Sequence, residues 1–349
     1  MRADDSVPLG RTGLTVSRLG LGLASIGGLF RPVPQRQALD TVRRARDLGI
    51  RLFDTAPVYG YGLSETRTGT ALRDEPRDAY VLCTKVGRLI EPGGPDTQPI
   101  WADPPPGLGA RLDYSRDGVL RSLEESLDRL GLDSVDVLHI HDPEQDFSSS
   151  VGDAYRALDD LRRAGVVRAV SLGVNHADVA VRFLREVPEP GPDCVMPAGR
   201  WNLLDQSALT ELLPLCRERG VAVLAAGVLQ SGLLADPRPG APHGYERIPP
   251  ALAARVRTVH EVCARHGVPS AAAALQFPFG HPAVTAVVVG ARSPREIEES
   301  AALLARPLPG RLWSDLRDVG ILPPSWHPPA PSPCSREPGC QCRMEDSPA

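Results

Sequence analysis

Lys85 is the only lysine among the 39 lysine and arginine residues of this chain. Arginine stays protonated and presents a broad fork, whereas a lysine ammonium is compact, fits a buried pocket and can share a proton. A position that keeps lysine where every other basic site is arginine points to chemistry that arginine does not supply. Lys85 closes the run Ala79-Tyr-Val-Leu-Cys-Thr-Lys85-Val, which is apolar and β-branched and reads as a buried strand leading into a glycine-containing loop. Two more runs end in the same way. Arg51-Leu-Phe-Asp54 closes on a carboxylate and is followed by a loop carrying Tyr59, and Val135-Asp-Val-Leu-His139-Ile-His141 closes on two imidazoles.

A carboxylate, a phenol, an ammonium and an imidazole at the ends of neighbouring strands can converge on one pocket. A free phenol titrates near pH ~10 and is a poor base at neutral pH. An ammonium about 4 Å away contributes on the order of 4 kcal/mol at an effective dielectric near 20, which would lower the phenol by about three units. The expected arrangement is a proton relay in which Asp54 holds Lys85, Lys85 lowers Tyr59, and His141 orients a substrate oxygen. His139 shares the parity of His141 and faces inward with it, as a core or supporting residue. A His-x-His pair at a strand end is also a metal motif of barrel hydrolases. No third ligand stands out, so no metal is expected.

The elements that must position these residues repeat along the chain. A helical segment, a glycine stop and a short apolar strand recur at Arg46-Asp-Leu-Gly49, Asp128-Arg-Leu-Gly131, Arg162-Arg-Ala-Gly165 and Arg217-Glu-Arg-Gly220. Candidate strands at 19–21, 52–54, 80–85, 135–141, 167–174, 194–196, 221–225 and 284–289 number eight, which predicts a single α/β (β/α)8 TIM barrel with its site on the C-terminal face. An open doubly wound sheet is the rival architecture. Residues 7–16 predict a β-hairpin capping the barrel bottom, and the Pro- and Gly-dense stretch 91–109 predicts a long loop over the mouth of the third strand. The barrel domain is expected over 1–320. The proline-rich remainder, 321–349, is expected to be a disordered tail, so that a chain ended at residue 325 keeps its activity. Its cysteines Cys334, Cys340 and Cys342 are expected to be exposed and oxidisable.

Composition narrows the function. With a net charge of −4 and arginines scattered among acids, nucleic acid is not an expected partner. No apolar window is long enough for a membrane span, and the N-terminus carries no apolar leader, so a cytoplasmic protein acting on a small molecule is expected. Nothing in the sequence sets an oligomeric state.

Phe53-Asp54-Thr-Ala-Pro-Val-Tyr59-Gly60, Thr84-Lys85-Val86 and His139-Ile-His141-Asp-Pro143 together resemble the motif blocks of the aldo-keto reductase family, as do Leu9-Gly-Arg-Thr-Gly-Leu-Thr-Val-Ser17 and Val289-Gly-Ala-Arg-Ser-Pro-Arg-Glu-Ile297. The resemblance covers roughly residues 7 to 305 and implies a nicotinamide oxidoreductase whose catalytic residues are Asp54, Tyr59, Lys85 and His141. It also implies a cofactor site formed by Asp54, Asn175, Gly227, Leu229, Gly290, Arg292 and Glu296, with Asn175 at the nicotinamide carboxamide. Ala198 and Ala226 stand where family members often carry a glutamine and a stacking aromatic. Ser293 and Glu296 form a capping box with Pro294 at the first helical position, and Arg292 stands at that helix N-terminus ready for a cofactor phosphate. Ala291 in place of a lysine, with the Glu296 carboxylate nearby, implies NAD in preference to NADP.

Tyr59-Gly-Tyr-Gly-Leu-Ser-Glu65, Leu138-His-Ile-His-Asp-Pro-Glu144 and Ala198-Gly-Arg-Trp-Asn-Leu-Leu-Asp-Gln206 are most similar to the aldose 1-dehydrogenase branch. That likeness implies oxidation of a cyclic hemiacetal to a lactone, with an aldose such as L-fucose or else pyridoxal as substrate. A general aldehyde or ketone reductase, or a non-catalytic nicotinamide-binding subunit, are the alternatives.

Overall fold

Along each barrel strand every second residue points inward, and the inward column changes character from bottom to top. On one strand it runs Leu52, Asp54; on the next Val81, Cys83, Lys85; on the next Val137, His139, His141; and on the next Ala169, Ser171, Gly173. Apolar side chains thus fill the lower interior and polar ones the upper rim, which is why the chemistry gathers at one end.

The computed structural model describes residues 1–235 and 248–329. Its strands are β1 (Ser6–Pro8), β2 (Thr15–Ser17), β3 (Leu19–Gly22), β4 (Leu52–Asp54), β5 (Val81–Val86), β6 (Arg88–Pro92), β7 (Leu108–Leu112), β8 (Val137–His141), β9 (Ala169–Val174), β10 (Cys194–Pro197), β11 (Ala222–Ala226) and β12 (Val284–Gly290). Eight of them close a parallel barrel in the order β10-β11-β12-β3-β4-β5-β8-β9. The eight strands fall where the sequence predicts, within about two residues at each end, a usual margin for element boundaries. The open-sheet alternative is overturned by this closure.

β1 and β2 pair antiparallel, with Ser6 opposite Ser17 and Pro8 opposite Thr15. Leu9, Leu14 and Val16 of this hairpin are buried against Leu52, Val81 and Val137, so the hairpin plugs the barrel bottom. Helices pack outside. Arg116–Leu130 is typical: Ser115 Oγ caps it by accepting from Gly118 N at 3.1 Å, and Gly131 ends it in the left-handed conformation. Among the described residues, no helix is long and apolar enough to cross a membrane.

Two expectations need correction. The ends of the long loop after β5 are not irregular: β6 and β7 pair antiparallel from Arg88 opposite Leu112 to Pro92 opposite Leu108, forming a ribbon that carries Trp101 at its end. The segment after residue 320 does pack as far as residue 326. Ile321, Leu322 and Trp326 are buried, the Trp326 ring stacks on Phe277 at 5.4 Å, and its Nε1 donates to Phe277 O at 3.0 Å. Proline content sets backbone shape but does not prevent an aromatic from burying its surface. Ending the chain at residue 325 should therefore cost about 3–5 kcal/mol, the range for deleting a buried tryptophan ring, whereas ending it at 329 keeps these contacts. Equal melting temperatures for the two truncations would contradict this. Cys334, Cys340 and Cys342 lie outside the described residues.

Candidate active site

β4 and β5 are neighbours with Asp54 opposite Cys83, and β5 and β8 are neighbours with Lys85 opposite His139. This register brings Asp54, Lys85 and His141 onto adjacent strand ends. Lys85 Nζ donates to Asp54 Oδ1 at 2.8 Å, to Asp54 Oδ2 at 2.7 Å and to the Thr55 carbonyl at 2.8 Å. Three acceptors meet three N–H donors on a side chain only 2% exposed.

Tyr59 enters from the loop after β4. Gly60 turns that loop with φ +62, and a Cβ there would lie 2.2 Å from Gly27 O, so the turn beside the phenol requires glycine. The Tyr59 ring is half-buried, with its centroid 4.9 Å from Lys85 Nζ, 5.9 Å from the His141 ring and 5.6 Å from Trp101. Tyr114 fixes the end of β8 from outside: its single O–H is shared between His141 O at 2.6 Å and Asp142 O at 2.8 Å.

Burial would raise the Asp54 carboxyl, but Lys85 and then His139 outweigh it and hold it down at about 2. Burial would lower the Lys85 amine, but Asp54 outweighs it, so the ammonium is held above its usual range. His141 is pushed well below the usual imidazole range by burial, then by Lys85 and Arg88, which makes it neutral. Tyr59 departs from expectation. Burial pushes its phenol up to about 12, and the opposing pull of Lys85 is reduced because Asp54 neutralises that ammonium. The lowered phenol expected from charge spacing is therefore corrected: desolvation outweighs the pull of Lys85.

Asp54, Cys83 and His139 place potential metal donor atoms within 4.8 Å of one another. Both Asp54 oxygens already bind the Lys85 ammonium, so a divalent ion would sit against a fixed positive charge. The thiols of Cys83, Cys194, Cys216 and Cys263 are free and buried, and burial pushes each upward, to about 12 for Cys194 and Cys216 and about 11 for Cys263. They are inert core thiols.

The residues expected at a cofactor lie on the same barrel end. Asn175 follows β9, Gly227 and Leu229 follow β11, and Gly290 closes β12. The Asn175 amide donates to Asp142 Oδ1 at 2.7 Å and Glu144 Oε1 at 3.1 Å, leaving its Oδ1 as the side-chain group free of those bonds. Helix Pro294–Ala305 begins at the capping box: Ser293 Oγ accepts from Glu296 N at 3.3 Å, and Glu296 Oε2 accepts from Arg292 N at 2.7 Å. Arg292 Nε is buried without a partner beside that helix N-terminus. An unsatisfied guanidinium donor at the positive end of a helix fits an anionic group such as a nucleotide phosphate.

Two neighbours of the site escape sequence reasoning. Trp101 reaches Tyr59 from the tip of the β6–β7 ribbon. Arg88 is buried and donates to Asp96 Oδ2 at 2.7 Å and Asp142 Oδ2 at 3.0 Å, tying the ribbon to the end of β8.

Residues 18–321 match the model of the aldo/keto reductase family. The chain is 40% identical to the pyridoxal 4-dehydrogenase of Microbacterium luteolum, over 92% of this chain and 99% of that protein. It is 39% identical to the D-threo-aldose 1-dehydrogenase of a Pseudomonas species, over 89% of this chain and 96% of that protein. The solved glycerol dehydrogenase of Gluconobacter oxydans superposes with a TM-score of 0.70 at 23% identity, covering 91% of this chain and 95% of that one, a likeness of fold. A closed eight-stranded barrel, a match across nearly its whole length and relatives of this similarity agree: the chain belongs to the aldo/keto reductase family, oxidoreductases that use nicotinamide cofactors.

Proposed function

We propose that this protein oxidises a cyclic hemiacetal, an aldose such as L-fucose at C1, to a lactone with NAD as hydride acceptor. The convergence of Asp54, Lys85, Tyr59 and His141 on one buried polar rim carries this reading. Tyr59 takes the hemiacetal hydroxyl proton, Lys85 stabilises the resulting phenolate, Asp54 keeps Lys85 charged and in place, and neutral His141 orients the substrate oxygen. The nicotinamide, when bound, supplies the hydride chemistry. Arg292 and the helix N-terminus at Pro294 would hold its phosphate, Asn175 would offer Oδ1 to its carboxamide, and Asp54, Gly227, Leu229, Gly290 and Glu296 would complete the lining. The intact relay disfavours a non-catalytic nicotinamide-binding subunit. Reduction of an aldehyde or ketone to an alcohol would use the same proton and hydride positions in the opposite direction.

Pyridoxal is the second substrate, favoured by the 40% identity to a pyridoxal 4-dehydrogenase. Incubating the protein with NAD and L-fucose, other aldoses or pyridoxal, and following reduced nicotinamide together with lactone, tests both. Turnover with a sugar and not with pyridoxal supports the first reading. No turnover with any hemiacetal sinks both.

The preference for NAD rests on Glu296, whose carboxylate is spent on the cap at Arg292 N and would repel a 2'-phosphate. Ala291 is fully buried, so a lysine there would have to be buried with it, and Glu296→Gln is the substitution to make. It should narrow the NAD-to-NADP ratio of kcat/KM by about tenfold, the scale of one lost charge repulsion at partial exposure. Wild-type preference for NADP would contradict the assignment. Four free buried thiols among the described residues support a reducing, cytoplasmic setting.

A further inference from the structure

Below the rim, the barrel interior holds polar groups that the proposed reaction does not use. His139 is fully buried on β8, opposite Lys85 of β5 and Ser171 of β9, and Ser171 is in turn opposite Cys194 of β10. His139 Nε2 lies 3.2 Å from Asp54 Oδ1. The contact falls short of regular hydrogen-bond geometry, and the Leu172 carbonyl is the other acceptor beside the ring. The residue below it in the same inward column, Val137, is apolar, so His139 is the lower edge of the polar layer on this strand. A buried imidazole costs desolvation unless a partner offsets it, and Asp54 is a partner in reach.

We propose that His139 is a positioning residue that locks the Asp54 carboxylate against the Lys85 ammonium, so that the site depends on five side chains rather than four. The inference rests on the proposed roles of the other four. A carboxylate at the end of a three-residue strand can rotate broadly about its last torsion. Lys85 touches both oxygens and does not by itself select one; a donor on Oδ1 fixes the plane. Burial lowers His139 toward the neutral form, opposed by Asp54 and assisted by Lys85, and a neutral ring with its proton on Nε2 places an N–H dipole 3.2 Å from Oδ1. The titratable and charged groups facing it are Asp54, Cys83, Lys85, His141 and Cys194. None of these offers Asp54 Oδ1 a second donor apart from Lys85.

The single lysine makes the test direct. Labelling lysine Cε with carbon-13 gives one lysine side-chain resonance in the full chain, which reads Lys85 ionisation without cofactor or substrate. In wild type the ammonium signal should persist beyond about pH 10.4, where an ordinary lysine titrates. In His139→Leu its midpoint should fall by about one unit or more, while His139→Gln, which keeps an N–H near the place of Nε2, should stay near wild type. His139→Met fills the same space without a donor and replaces the leucine variant if that one does not fold. With an active substrate, kcat should drop about tenfold in the apolar variants, with KM changing less than about twofold. Apolar variants whose Lys85 titration overlays wild type would make His139 a packing residue and overturn the proposal. The resonance decides this even if the reaction itself is misassigned, since the substrate panel decides the reaction.

Discussion

Lys85→Met should lower kcat about a thousandfold, in the middle of the range for losing a tuned proton-transfer partner. The ammonium holds three acceptors at 2.7–2.8 Å and is the positive charge beside the Tyr59 phenol. Its removal also leaves Asp54, 3% exposed, without a counter-charge. Breaking one side of such a buried pair costs about 3–5 kcal/mol, so the single variant should melt earlier than wild type. The double variant Asp54→Asn/Lys85→Met removes both charges and should recover much of that stability while staying inactive. Separating the two effects matters, because an unstable inactive protein says nothing of chemistry. Lys85→Arg keeps the charge but presents a wider fork in a pocket shaped for an ammonium, and should remain impaired. Unfolding midpoints and kcat on all three variants check this; near-wild-type turnover in Lys85→Met would remove Lys85 from the relay.

What the sequence makes legible follows period and position. Asp54, Lys85 and His141 are readable because strand parity and the strand-end rule of a parallel barrel are local properties of short runs. Trp101 is not, because its approach to Tyr59 depends on β6 pairing with β7 across a stretch dense in proline and glycine. Trp326 is hidden for the same reason: composition reports backbone preference, whereas its burial depends on Phe277 and Trp313 arriving from distant segments. The Asn175 amide is spent on Asp142 and Glu144, a pairing fixed by the conformation of the loop after β8 rather than by any spacing. Tyr59 shows the limit most clearly. Counting charges near a phenol captures the pull of Lys85 but omits both the desolvation that opposes it and the Asp54 charge that cancels much of it.

Tyr59 therefore carries an unusual pH signature. In the cofactor-free protein, the near-ultraviolet phenolate absorbance of wild type minus Tyr59→Phe should titrate at about 12, above a free phenol. The unfolded chain ionises this tyrosine near pH ~10, so above that value it loses a proton that the native state retains. The stability contributed by this shift is complete below the unfolded value and declines as pH rises toward the folded one, and Tyr59→Phe should flatten that alkaline decline. In catalysis the sign is opposite. Oxidation needs the phenolate, so kcat/KM for the hemiacetal should climb steadily from about pH 6 to about pH 10, and reduction, which needs the phenol, should fall over the same range. Positive charge entering the pocket with an oxidised cofactor favours the phenolate, so the apparent kinetic pKa should lie below the cofactor-free value. That pKa belongs to the coupled group of Tyr59, Lys85, Asp54 and His141 rather than to the phenol alone. Tyr59→Phe should lose about a hundredfold to ten-thousandfold in kcat at every pH. A flat wild-type profile, or a phenylalanine variant that keeps most of the alkaline rate, would take the base role away from Tyr59 and leave Lys85 and His141 as the groups to test next.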